Sequence, residues 1–254
     1  MCGIAGIIDF KNSLNIENLN LMMMKIKHRG PDDEGVFIDN NVALGHVRLS
    51  IIDLSKAGKQ PMYCEDGRFI IVFNGEIYNF IELKEELKEK GYRFKTLTDT
   101  EVILAAYKEW GKNCLHRFNG DWAFVIYDSQ KKELFGARDR FGIKPFYYHK
   151  DENKMIFASE IKAIIPIIKD KIPNDKLIYE YLLYNRTDQS HETFFKGIIK
   201  LKHGHYFTLK ERELTVKKWY DLKKSIKNKE ALSYKSYREK LKKAISIRLR
   251  SDVP

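Results

Sequence analysis

Between residues 122 and 158, four short apolar segments follow one another at close intervals: 122–128, 133–138, 145–149 and 154–158. Asp128-Ser129 and Asp151-Glu152-Asn153 supply turn residues between them. The gaps are too short for the crossover helix that a parallel pair needs, which argues for antiparallel sheets. This run constrains the fold more than any other stretch of the chain.

The remaining elements fit around it. Residues 2–9 read as a buried strand, apolar and bounded by glycines. Residues 15–27 read as a helix, with Ile16, Leu19, Met23 and Ile26 at helical spacing. Residues 42–53 and 68–73 read as strands, the second stopping at the turn dipeptide Asn74-Gly75. Residues 79–90 predict a helix with Phe80, Leu83 and Leu87 on one face and Gly91 as its stop. Thr98-Asp99-Thr100-Glu101 predicts a capping box that opens a helix through Trp110, closed by Gly111. Pro166 limits a short helix over 159–168. Strands, then helices, then turn-linked strands predict an antiparallel α+β domain, not alternating βαβ units.

The net charge of +11 raises the question of nucleic acid, and its distribution answers it. Residues 196–254 carry 18 Lys/Arg against 6 Asp/Glu, while the rest of the chain holds 28 basic and 29 acidic residues. The excess is therefore local. No aromatic stacking motif accompanies it, so nucleic-acid binding is disfavoured. No apolar run approaches the roughly 18 residues of a membrane span. The N-terminus lacks a basic leader and meets Asp9 early, which disfavours a signal peptide. Three cysteines without paired spacing (Cys2, Cys64, Cys114) suggest a reducing, cytoplasmic setting.

Cys2 is the exception among these cysteines. Methionine before a small residue is commonly clipped, which would place the thiol beside a free α-amine. That amine titrates near pH 7.7–8.0, so it can accept the thiol proton. A nucleophile served by its own terminal amine is a known catalytic arrangement and needs no histidine. The seven histidines form no Cys–His pattern, and His203-Gly204-His205 lacks a third ligand, so no metal site is expected.

Further motifs follow Met1-Cys2-Gly3-Ile4 in order: His28-Arg29-Gly30-Pro31-Asp32, Arg48-Leu49-Ser50-Ile51-Ile52-Asp53, Asn74-Gly75-Glu76-Ile77-Tyr78-Asn79 and Thr98-Asp99-Thr100-Glu101. Asp139-Arg140-Phe141-Gly142-Ile143-Lys144-Pro145 and Phe157-Ala158-Ser159-Glu160-Ile161-Lys162-Ala163 complete the series. Together they resemble the glutaminase domain of glutamine-hydrolysing asparagine synthetase, a class II glutamine amidotransferase of the N-terminal-nucleophile hydrolase family. The likeness runs over about residues 1–207. It implies a four-layer αββα sandwich of two antiparallel sheets flanked by helices.

The resemblance also implies roles. Cys2 matches the nucleophile, and Asn74 and Gly75 match the oxyanion hole: a side-chain amide and a backbone N–H. Arg48 matches the residue that grips the glutamine α-carboxylate, for which a guanidinium fork is suited. Glu76 and Asp99 match the groups around the α-ammonium, and Ile51 and Ile52 match backbone contacts to glutamine. His28 and Arg29 are expected to order the loop over the site. Asn79 is expected to orient Glu76 or a backbone group. The bland alternatives are a surface ion pair for Arg48, helix capping alone for Asp99 and a hairpin turn for Asn74-Gly75.

After about residue 207 the character changes. A last strand-like piece reaches Trp219-Tyr220, Lys223 to Lys229 reads as a Lys-rich connector, and residues 233–249 read as an amphipathic helix. Its apolar face holds Tyr237, Leu241, Ala244, Ile245 and Leu249, with no obvious partner in the chain. In the family, Ser-Asp-Val-Pro leads into a glycine- and serine-rich loop that binds ATP, and no such loop occurs here. The expectation is a glutaminase domain over 1–207, with Met1 removed. Residues 208–254 would be the basic linker and first helix of a truncated synthetase domain. The glutaminase chemistry needs no cofactor; ATP and magnesium belong to the missing domain. Glutamine is the expected ligand and a homodimer is a possible assembly. Rival readings are the glutaminase half of an enzyme that amidates a sugar or peptide acid, and a non-catalytic interaction module.

Overall fold

The computed structural model describes residues 1–11, 13–187, 189–226 and 233–253. Its strands are β1 (Gly3–Asp9), β2 (Asp33–Asp39), β3 (Val42–Arg48), β4 (Met62–Tyr63), β5 (Phe69–Ile77), β6 (Gly120–Asp128), β7 (Glu133–Arg138), β8 (Tyr147–Lys150), β9 (Lys154–Ala158), β10 (Ile198–Lys200), β11 (His205–Lys210) and β12 (Glu213–Lys218). Its helices are α1 (Ile16–Ile26), α2 (Phe80–Glu89), α3 (Asp99–Trp110), α4 (Cys114–Arg117), α5 (Ile161–Ile164), α6 (Asp175–Tyr184), α7 (Leu222–Ile226) and α8 (Tyr234–Arg248). The strands form two six-stranded antiparallel sheets, ordered β10-β8-β9-β1-β3-β2 and β12-β11-β7-β6-β5-β4.

The layer order follows from the period-2 alternation of side chains. In β1, Ile4 and Ile8 join a core shared with Ile70 and Val72 of β5, so this core lies between the sheets. Ala5 and Ile7 point the other way, onto Leu19, Met22 and Ile26 of α1 and onto α5. In β5, Phe69, Ile71 and Phe73 pack on Leu83, Leu87, Val102 and Ile103 of α2 and α3. Three stacked cores therefore separate four layers, helices–sheet–sheet–helices, as expected.

Several boundaries differ from those the sequence predicts. The strand expected over 42–53 ends at Arg48, because the chain turns into a loop where Asp53 takes a left-handed φ of 56°. The strand expected to stop at Asn74-Gly75 continues to Ile77, because its ladder with β6 is unbroken: Asn74 pairs Ala123 and Gly75 pairs Trp122. Asn74-Gly75 is not a turn. The capping box is only half formed. Thr98 accepts from the Glu101 N–H, but the Glu101 carboxylate turns to the N–H groups of Lys95 and Thr96. Strand β2, the short strands β4 and β10, and helix α6 were not anticipated.

The hairpin β11–β12 carries the second sheet across position 207 to Lys218. Helix α7 takes up the first part of the Lys-rich connector, and residues 227–229 of it lie outside the described residues. Ser233 caps α8, whose Tyr237, Leu241, Ile245 and Leu249 stand 47% to 75% exposed. No helix among the described residues is long and apolar enough to cross a membrane.

Candidate functional site

Cys2 directly precedes β1, a central strand of the first sheet, and lies at the end of β3, where Gly3 pairs Val47. Its Sγ donates to the Leu49 carbonyl at 3.5 Å and accepts from the Leu49 N–H at 3.4 Å. Its own carbonyl accepts from Arg29 Nε at 2.9 Å. Arg29 is held in turn by Glu160 at 2.9 Å, which also binds His28 and Lys162. Burial would raise the Glu160 pKa, but these three partners bring it down to about 2. The His28-Arg29 segment is thus tied to Cys2 at the start of β1. Burial raises the Cys2 pKa, so the group rests as a thiol.

Arg48, the last residue of β3, is buried. Among the described residues it forms no carboxylate pair, so the surface ion-pair alternative does not hold. Its guanidinium donates to the carbonyls of Ser55 at 2.8 Å, Ile52 at 3.3 Å and Asp53. Arg48 thereby folds the 50–55 loop around itself. A Cβ at Gly58 would lie 2.0 Å from its Nη2, so glycine leaves the room the guanidinium occupies.

From the second sheet, β5 brings Asn74, Gly75 and Glu76. Asn74 is 1% exposed, and its Nδ2 has no hydrogen-bond partner among the described residues. A buried amide donor without a partner costs about 1–3 kcal/mol, so it is an arrangement that asks for an acceptor. The backbone beside it is fixed from two sides. Gln60 accepts the Phe73 N–H at 2.7 Å, and buried His46 holds the Phe73 carbonyl at 3.0 Å. Burial lowers the His46 pKa to about 4, so His46 is neutral. At Gly75 a Cβ would stand 2.3 Å from the Asp121 carbonyl oxygen and 2.7 Å from Trp122 Cα. The close approach that demands glycine is thus between β5 and β6.

Asp99 opens α3, yet its side chain does more than cap. Oδ2 accepts from the Ile77 N–H at 2.9 Å, which fastens the helix start to the end of β5. Burial raises its pKa to about 7; nearby Glu76 adds to this and the N–H bond from Ile77 opposes it. Asn79 orients backbone, not Glu76: it donates to the Arg117 carbonyl and accepts from the Asn119 N–H.

All eight expected site residues, Cys2, Arg48, Ile51, Ile52, Asn74, Gly75, Glu76 and Asp99, line one open cleft of about 520 Å³. Met1, Gln60, Thr100 and Lys144 line it too and were not anticipated. Gln60 donates to Thr100 at 3.3 Å, across 40 positions of sequence. Only the fold reveals such a pair. The cleft offers one guanidinium, two carboxylates, an unpartnered amide and a thiol, which suits a small zwitterion with a polarisable carbonyl. No group of three or more His, Cys, Asp or Glu among the described residues is arranged to hold a metal ion. His205 Nδ1 instead contacts the His203 carbonyl.

The glutamine amidotransferase domain family matches residues 1–220. A putative glutamine-hydrolysing asparagine synthetase 2 of Methanocaldococcus jannaschii is 42% identical over the whole chain, and asparagine synthetase 3 of Bacillus subtilis is 36% identical. The chain spans 53% and 42% of their respective lengths. A solved glutamine phosphoribosylpyrophosphate amidotransferase of Bacillus subtilis superposes with a TM-score of 0.64 over 86% of this chain and 49% of its own, at 18% identity. That likeness is one of fold.

Proposed function

The chain belongs to the glutamine amidotransferase domain family, and on that premise we propose that it hydrolyses the side-chain amide of glutamine to glutamate and ammonia. The observation that carries this reading is the buried, unpartnered Nδ2 of Asn74 in the wall of the cleft that Cys2 also lines.

In the proposed course, Met1 is removed and the freed α-amine of Cys2 takes the thiol proton. The thiolate attacks the glutamine Cδ. Asn74 Nδ2 and the Gly75 N–H receive the developing oxyanion. Ammonia departs with the proton from the amine and leaves a γ-glutamyl thioester. Water then attacks the thioester and releases glutamate. The α-carboxylate lies against Arg48 and the Ile51–Ile52 backbone, and the α-ammonium lies between Glu76 and Asp99. With Met1 attached, Cys2 has a peptide nitrogen in place of a basic amine, so processing is a condition of activity.

The relatives' names support a wider reading: ammonia made here serves ATP-dependent amidation of aspartate in a larger protein. Residues beyond the β11–β12 hairpin would lead to that synthetase part, which would also hold ATP and magnesium. The exposed apolar face of α8 supports this division. Replacing Asn74 with alanine tests the glutaminase chemistry. Loss of one oxyanion donor should lower kcat roughly 10²–10³-fold with little change in KM. A change confined to KM would remove Asn74 from that role.

A further inference from the structure

The loop that carries Ile51 and Ile52 is gripped from outside as well as from within. Arg48 holds its carbonyls from the cleft side. From the other side comes the segment that follows α8. Asp252 Oδ2 accepts from the Asp53 N–H at 2.7 Å, and the Asp252 N–H donates to the Ile51 carbonyl at 2.9 Å. These two bonds span Ile51–Asp53 reciprocally, although about 200 residues separate the partners. Asp53 needs such restraint, because it is a non-glycine residue at φ 56°. Its carboxylate adds further ties, accepting from the N–H groups of Leu97 at 3.0 Å and Ser55 at 3.2 Å.

The same segment also reaches the region just past β5. Arg250 binds both oxygens of Glu82 at 2.6 Å and donates to the Tyr78 carbonyl at 2.5 Å, just past the end of β5. The Arg248 guanidinium stacks over the Tyr78 ring at 4.8 Å. A three-residue stretch therefore bridges the substrate loop and the end of the strand that bears Asn74, Gly75 and Glu76.

We propose that residues 250–252 act as a brace for the glutamine site, with Asp252 a positioning residue that orders the 51–53 loop through Asp53 and Ile51. This rests on the glutaminase reading for the identity of the ligand. The brace touches no reacting atom, so its loss weakens glutamine binding and leaves the chemical step intact.

The test uses the full chain, freed of Met1, as wild type, Asp252→Ala and Asp252→Asn. Glutamate release is measured against glutamine concentration, and amide hydrogen exchange is followed at Asp53. For Asp252→Ala, the loss of a charge-assisted bond should raise KM roughly tenfold at unchanged kcat and speed exchange at Asp53 by a similar factor. Asp252→Asn keeps an acceptor and should recover most of both. Unchanged exchange at Asp53 in Asp252→Ala, or faster exchange with an unchanged KM, would overturn the brace. Wild-type protein that releases no glutamate would overturn the glutaminase reading instead, and exchange at Asp53 alone would then decide the brace.

Discussion

Helices α3 and α8 are both amphipathic in sequence, and they meet opposite fates. In α3, Val102, Ile103, Leu104 and Ala106 are buried, and Ile103 packs in the core between this helix layer and the second sheet. In α8 no residue is buried, and its apolar face looks outward. An amphipathic pattern states a need for a partner and does not supply one. Where the partner lies in the chain, the helix delivers a side chain with accuracy: the start of α3 sets Asp99 in the cleft. Where it does not, the anchoring among the described residues gathers at the end of α8 and just after it, through Arg248, Arg250 and Asp252.

The contrast has a direct energetic form. Ile103→Ala should destabilise the protein by about 2–5 kcal/mol, the range for emptying a packed aliphatic site. Denaturant melts of the two single variants check this, and equal costs for Ile103→Ala and Leu241→Ala would break the comparison.

Asp99 gives the next effect in size. Its pKa stands near 7 in the folded protein because burial disfavours the charge, against about 3.9 in an unfolded chain. The folded state therefore binds the proton more tightly. The stability Asp99 contributes is complete below about pH 4 and is lost as pH rises towards 7. In the proposed course the glutamine ammonium lies beside Asp99 and calls for its ionised carboxylate, so KM for glutamine should fall as pH rises through about 7. Asp99→Asn should flatten both profiles and raise KM roughly ten- to a hundredfold, as for loss of a bond to a charged group. A KM that keeps its pH dependence in Asp99→Asn would assign that dependence elsewhere.

The smallest effect belongs to α8. Leu241→Ser leaves packing untouched and should move stability by no more than about 0.5 kcal/mol. A larger loss would mean that the helix is covered after all.

Much of this was legible in the sequence because it is local. The apolar runs of β1 and β5, the helical spacing of α1 and α2, the cap that opens α3 and the short turns between the later strands are patterns of neighbouring residues. Strand β2 gave no such pattern. It is an edge strand whose residues are partly exposed throughout, and Val36 and Ile38 face solvent. The dipeptide Asn74-Gly75 misled for the opposite reason: its turn chemistry is overridden by the ladder to β6. The site residues that form motifs were anticipated, and the supports around them were not. Gln60 on the Phe73 N–H and Asp252 on the Asp53 N–H join residues 13 and 199 positions apart. No local signal marks such partners.

The central claim is that Cys2 performs the hydrolysis of glutamine from a free N-terminus. Its most direct test is glutamate release by protein whose N-terminal mass shows Met1 removed, wild type beside Cys2→Ala. The account predicts steady release by the wild type and none above background from Cys2→Ala, with the fold retained by circular dichroism. Equal release from the two would contradict it.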